Sequence, residues 1–252
     1  MTYCVGMRPK SGLVIISDTR TNAGIDNIST FNKLHVLAED AERLIVVASA
    51  GSLSVTQSML SMLAEGLDPE RQDDAEAPRR KIADMPTMFR VAKLVGEALA
   101  DARKDIGKTL QGSGINADVS LLLGGRIGNG PLMLYLVYSE GNFIECQRDS
   151  PYGQIGELKY GKPILDRALH WDSPLDEAVK VGLISFDSTM RSNLSVGLPF
   201  DLIVIPEDRK APVLRRRISE NDPYFNQLSA DWGRLMNDAR QQIADPPFMR
   251  ES

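Results

Sequence analysis

The stretch Leu13-Val14-Ile15-Ile16-Ser17-Asp18-Thr19-Arg20 runs four apolar residues without a break into a polar, charged end. A half-buried strand alternates apolar and polar side chains, whereas this run is apolar on both faces, so the strand it forms is covered on both sides. Similar short runs rich in Val and Ile lie around it, at residues 3–7, 34–38 and 44–49, with polar or glycine-containing turns between them. Helical spacing then takes over. Leu53, Met59, Leu60 and Leu63 lie near one face of a first helix, and Phe89, Ala92, Val95, Leu99 and Ala102 form a longer stripe on a second. Strands return at 119–123, 132–138 and 143–146, the last two joined by a Gly141-Asn142 turn. Helices follow at 163–169 and 173–186, the latter with Ser173 as N-cap and Pro174 as its first residue. A strand pair at 201–205 and 213–218 and a striped helix at 223–243 complete the chain.

Strands therefore come in blocks joined by short turns, which implies antiparallel sheets rather than alternating βαβ units. Helical pairs arriving between the blocks can cover the outer faces of two stacked sheets. The expected fold is α+β: a four-layer α-β-β-α sandwich, one domain over residues 1–252, with a charged, proline-containing excursion at about 66–86.

Composition removes several functions. The 252 residues carry 29 Lys+Arg against 34 Asp+Glu, a net charge of −5, which argues against a general nucleic-acid or anionic-membrane binder. No run approaches the ~20 apolar residues of a membrane span, and no secretory signal opens the chain, so a cytoplasmic protein is expected. With Cys4 and Cys146 as the two cysteines and His35 and His170 as the two histidines, neither a disulfide scaffold nor a Cys/His metal centre is expected. The arginines at 215–217 read as a solvated strand edge, Cys4 as a buried core thiol, and His35 as a hydrogen-bonded structural residue.

Three places carry chemistry. Removal of Met1 leaves Thr2 with a hydroxyl and a free α-amine, whose pKa of about 7.7–8 suits it as the base for its own hydroxyl. Read by itself, Thr2 is more simply a β-branched start to an edge strand. A hairpin from the first strand to the second returns Asp18 to the end where Thr2 begins, and Lys33 enters the neighbouring strand beside both. Such a pair holds a fixed positive charge beside an amine and hydroxyl, or is an ordinary ion pair. At Ser49-Ala50-Gly51-Ser52 a strand runs into a helix, where a backbone N–H can stabilise an oxyanion, or the segment is a plain turn capped by Ser52.

Taken in order, the N-terminal Thr, S-D-T-R at 17–20, N-K-L at 32–34 and A-G-S at 50–52 resemble the proteasome β-subunits and their bacterial relatives among the N-terminal-nucleophile (Ntn) hydrolases. More narrowly, M-T-Y-C-V-G at 1–6, D-T-R-T-N-A-G-I-D-N-I-S-T-F at 18–31 and R-S-N-L-S-V-G-L-P at 191–199 are similar to the Anbu (ancestral β-subunit) family. The resemblance spans nearly the whole chain. It implies Thr2 as nucleophile with its amine as base, Asp18 orienting Lys33, the Gly51 amide as oxyanion donor, and Ser195 supporting the terminal amine. Asn22, Phe31, Ser49 and Leu53 match the family's substrate channel. The sequence departs from the pattern at Glu157, where a serine stands beside the nucleophile, and at Ser192, where an aspartate is found. A carboxylate there is expected to raise the amine's pKa and weaken it as a base. The resemblance also implies peptide or protein substrate, no cofactor or metal, and self-assembly in rings or an open spiral, with active sites facing an enclosed space. It leaves any ATPase partner open. With no propeptide in the sequence, freeing Thr2 is expected to rest on loss of Met1. A catalytically weak or inactive scaffold and a small-amide Ntn acylase are the competing readings.

Overall fold

In the computed structural model, residues 2–22, 28–69, 78–110 and 115–249 are described. The chain opens with a hairpin of β1 (Tyr3–Met7) and β2 (Gly12–Asp18), then a small ribbon of β3 (Arg20–Asn22) and β4 (Ile28–Thr30), and then β5 (Leu34–Glu39) and β6 (Arg43–Gly51). Helices α1 (Leu53–Glu65) and α2 (Met88–Leu110) lead to β7 (Val119–Ile127), β8 (Met133–Val137), β9 (Phe143–Glu145) and β10 (Tyr152–Gly156). After α3 (Lys162–Ala168) and α4 (Leu175–Ser192) come β11 (Phe200–Pro206), β12 (Leu214–Ile218) and α5 (Pro223–Gln242).

The strands form two antiparallel five-stranded sheets, ordered β10-β1-β2-β11-β12 and β5-β6-β7-β8-β9. Their stacking follows from β2. Leu13, Val14, Ile15 and Ile16 are all fully buried, and they alternate between two cores. Leu13 and Ile15 meet Val46, Ala48, Leu122 and Leu134 between the sheets. Val14 and Ile16 face Leu165, Val181 and Phe186 of α3 and α4. On the far side α1 and α2 cover the second sheet with Met59, Val91, Val95 and Leu99. The order of layers is helix, sheet, sheet, helix, the α-β-β-α sandwich, and each fully buried aliphatic side chain contributes about 1.5–3 kcal/mol to it.

The structure corrects the sequence reading in places. β3, β4 and β10 are additional strands; β10 (YGQIG) carries two glycines and lacks the β-branched run that marks a strand. Helix α4 runs past residue 186 to Ser192, because Thr189 keeps the inward stripe going. Its N-cap is Pro174, and Ser173 instead accepts the His170 N–H at 3.0 Å. Residues 70–77 of the 66–86 segment lie outside the described residues. The flanks of that segment pair through the Leu67 and Arg80 main chains at 3.0 and 2.8 Å, and Leu67 and Ile82 are buried. Arg215, Arg216 and Arg217 on β12 pair with Glu39, Asp222 and Asp201. Among the described residues no helix is long and apolar enough to cross a membrane.

Candidate active site

β1 and β2 pair with Cys4 opposite Ser17, which returns Asp18 to the level of residues 2 and 3. There the Tyr3 N–H donates to Asp18 Oδ1 at 3.0 Å. Lys33, just before β5, reaches the same oxygen with Nζ at 2.8 Å and also donates to the Arg20 carbonyl at 2.6 Å. Asp18 is 0% and Lys33 5% exposed, so the pair is withdrawn from water, where losing either partner strands a charge. Burial pushes the Asp18 carboxyl up to about 6, against the opposing pull of Lys33 and the Tyr3 amide. Its other oxygen, Oδ2, is buried with no hydrogen-bond partner among the described residues.

Gly51 ends β6. The Ser49 N–H donates toward β5, to the Lys33 carbonyl at 2.9 Å, and the Ser52 N–H donates the other way, to the Asp118 carbonyl at 3.0 Å. Successive N–H groups along a strand point to alternate sides. The Gly51 N–H therefore points to the β5 side, beyond the last pairing of Leu34 with Ala48, and has no strand partner there among the described residues. Gly51 has φ +121°, and a Cβ would lie 2.1 Å from the Asp118 carbonyl oxygen, so glycine is required. Thr2, Thr21, Gly51, Asp118 and Gly156 line one cleft of about 490 Å³.

The opposite side of Thr2 is built by β10. Gly156, at φ +82°, lies so close that a Cβ would sit 2.0 Å from the Thr2 carbonyl oxygen, and the next N–H, of Glu157, donates to that oxygen at 2.7 Å. The Glu157 carboxylate is buried. It accepts the Lys159 N–H on Oε1 and Asn193 Nδ2 on Oε2, both at 2.9 Å. Burial alone lifts a carboxyl, but these donors outweigh it and hold Glu157 below the usual carboxylate range. Asn193 Oδ1 accepts the Ser195 N–H at 3.0 Å, and Arg20 Nη1 donates to the Leu194 carbonyl at 3.1 Å. The bonds close a circuit: residues 2–3 to Asp18, Lys33, Arg20, the 193–195 turn, Glu157 and back to Thr2.

No family model and no curated protein sequence matches the chain. Solved structures do. Anbu (ancestral beta-subunit) from Yersinia bercovieri is 44% identical with a TM-score of 0.84, covering 97% of this chain and 98% of its own. An Anbu (Gly-1) mutant from Hyphomicrobium sp. strain MC1 is 40% identical, with a TM-score of 0.85 over 98% and 99%. The Anbu complex from Pseudomonas aeruginosa, described as a helical assembly, is 40% identical, with a TM-score of 0.86 over 97% and 98%. The chain belongs to the Anbu (ancestral beta-subunit) family.

In this Anbu chain the structure brings Thr2, Asp18, Lys33, Gly51 and Glu157 together around the start of β1, with Ser195 joined through its main chain. Ser192 is not in the circuit: it ends α4 with its side chain exposed. Phe31 and Leu53 line a second cavity of about 330 Å³ with His35, Thr56, Gln57 and Leu60. Ser49 is buried in β6 and lines neither cavity. Asn22 lies on β3, and its side chain is outside the described residues. Met1 is outside them as well. His35 is bonded to the Asn32 main chain, while Nε2 is buried without a partner among the described residues and burial pushes the ring's pKa down. Cys4 is a fully buried free thiol, pushed up by burial, and donates to the Ser49 carbonyl at 3.7 Å. Asn193 and Arg20 are members the sequence reading assigned no role. Arg20 stood in the quoted S-D-T-R and Asn193 in the quoted R-S-N-L-S-V-G-L-P, where neither signalled its partner.

Proposed function

We propose that this chain is a proteasome-like threonine peptidase subunit that cleaves peptide bonds through an acyl-enzyme on Thr2. The supporting observation is the buried Asp18–Lys33 pair, bonded to the Tyr3 amide next to Thr2, which with Gly51 lines one cleft. With Met1 removed, the Thr2 α-amine takes the hydroxyl proton as Oγ attacks the substrate carbonyl carbon. The Lys33 ammonium, oriented by Asp18, favours negative charge on Oγ, and the Gly51 N–H donates to the oxyanion. The ammonium so formed gives its proton to the departing amine nitrogen as the C–N bond breaks, and a water then hydrolyses the ester on the same base. The chemistry calls for no cofactor. Residues 1–252 act as one Ntn-hydrolase unit, with Phe31 and Leu53 in the cavity that takes a substrate side chain.

The particle is built from copies of this chain, in rings or an open spiral, and acts on peptides in the cytoplasm. The description of the Pseudomonas aeruginosa relative as a helical assembly supports that self-association; sedimentation of the native protein tests it. The mechanism is tested with protein whose chain begins at Thr2, verified by intact mass and treated with an epoxyketone or β-lactone. An adduct on Thr2, lost in Thr2→Ala, is the expected result. A folded protein that forms no adduct from neutral to mildly alkaline pH overturns the reading in favour of a non-catalytic scaffold.

A further inference from the structure

Glu157 and Asn193 face each other between the end of β10 and the end of α4, and their hydrogen bonds admit one arrangement. The Ser195 N–H needs an acceptor and receives Asn193 Oδ1, while the ionised Glu157 needs a donor and receives Asn193 Nδ2. Flipping the amide breaks both bonds at once. Asn193 cannot drift, because its N–H donates to the Thr189 carbonyl at 2.9 Å and its own carbonyl accepts the Val196 N–H at 3.1 Å. Glu157 is equally fixed, by the Lys159 N–H on Oε1 and by its own N–H on the Thr2 carbonyl.

We propose that Asn193 is a positioning residue for the chemistry at Thr2, locking the Glu157 carboxylate and the Ser195 turn in one register against the start of β1. The inference rests on the peptidase reading above and adds a residue to it. One negative charge is thereby held at the end of β10 that is bonded to residue 2, and a carboxamide opposite it serves where a second carboxylate would repel. The other charged groups around this end are the buried Asp18–Lys33 pair, Arg20, which donates to the Leu194 carbonyl, and Lys159, whose ammonium lies 5.8 Å from the Tyr160 ring centroid.

The test is an exchange of the pair. Glu157→Gln sets two carboxamides nitrogen to nitrogen, and Asn193→Asp sets two carboxylates together. In the double variant the carboxamide now at position 157 accepts from the Lys159 N–H and donates to the carboxylate now at position 193. That carboxylate also accepts the Ser195 N–H, so every hydrogen bond returns while the charge moves from 157 to 193. Each single variant is expected to lower the melting temperature and slow Thr2 labelling by about tenfold to a hundredfold. The exchange restores the melting temperature and most of the rate, with the acid limb of the pH–rate profile still displaced. Single variants that fold and keep the parent's rate and pH profile overturn the proposal, as does an exchange no better than the singles. Should the parent form no Thr2 adduct, the peptidase reading fails by itself. The positioning claim is then read from the α-amine pKa, by nitrogen NMR of isotopically labelled threonine: Asn193→Asp raises it by about one pH unit and Glu157→Gln lowers it. An unchanged value overturns it.

Discussion

Replacing Lys33 with methionine keeps most of the side-chain volume and removes the ammonium from a site that is 5% exposed. In the parent, burial raises Asp18 from its ordinary 3.8 to about 6 even with Lys33 beside it. A tenfold change in proton affinity is worth about 1.4 kcal/mol, so keeping Asp18 ionised costs the folded state about 3 kcal/mol. A carboxyl whose folded pKa is raised contributes stability that is fully present below its unfolded value and is lost as pH rises through the folded one. Here that window runs from about 4 to about 6. Lys33→Met withdraws both the attraction and the donor, which moves the window's upper edge higher. At about pH 8 the unpaired carboxylate should cost about 3–5 kcal/mol. At about pH 5 most Asp18 carries a proton already, and the loss falls to about 1–2 kcal/mol of hydrogen bonding. For a chain of this length, that is a melting temperature lowered by about 6–20 °C at the higher pH and by about 2–8 °C at the lower. Parent and variant are to be melted at equal protein concentration in both buffers. A loss that is equal at the two pH values, or greater in acid, refutes the buried-pair reasoning.

Three further outcomes are expected. Thr2 labelling by a β-lactone should fall more steeply below about pH 6 than protonation of the α-amine alone accounts for, because protonated Asp18 no longer holds Lys33; a profile that follows the amine alone down to about pH 5 contradicts this. Gly156→Ala adds about 1–2 kcal/mol of backbone strain at φ +82° and drives a methyl into the Thr2 carbonyl. Its labelling should drop about a hundredfold, and parent-like labelling would show that β10 does not set residue 2. Leu53→Trp fills part of the 330 Å³ cavity. It should change side-chain preference in a peptide-library digest by about tenfold or more with little change in melting temperature; an unaltered digest removes that cavity from substrate binding.

Much of the fold was legible because burial patterning is local. Leu13 to Ile16, apolar on both faces, could only lie between two layers, and strand blocks joined by short turns required antiparallel sheets. The meeting of Asp18 with Lys33 near Thr2 was legible too, since a hairpin fixes which residues share a strand end. β10 was not: with Gly153 and Gly156 in five residues it lacks the apolar run that marks a strand, and its glycines are explained by what they touch. The helical run to Ser192 was also hidden, and Asn193, though it stood in the quoted R-S-N-L-S-V-G-L-P, gave no sign of its role, because Asp187, Thr189 and Asn193 are polar residues whose burial comes from distant partners. By itself, then, the sequence determined the layers, the antiparallel pairing and the residues at the strand ends. The tertiary structure alone decided that Glu157 and Asn193 are clamped together and that the Gly51 N–H has no strand partner among the described residues. Apolar periodicity is set by neighbours a few residues away, whereas a hydrogen-bond partner or a φ of +82° is set by chain that arrives from more than thirty residues off.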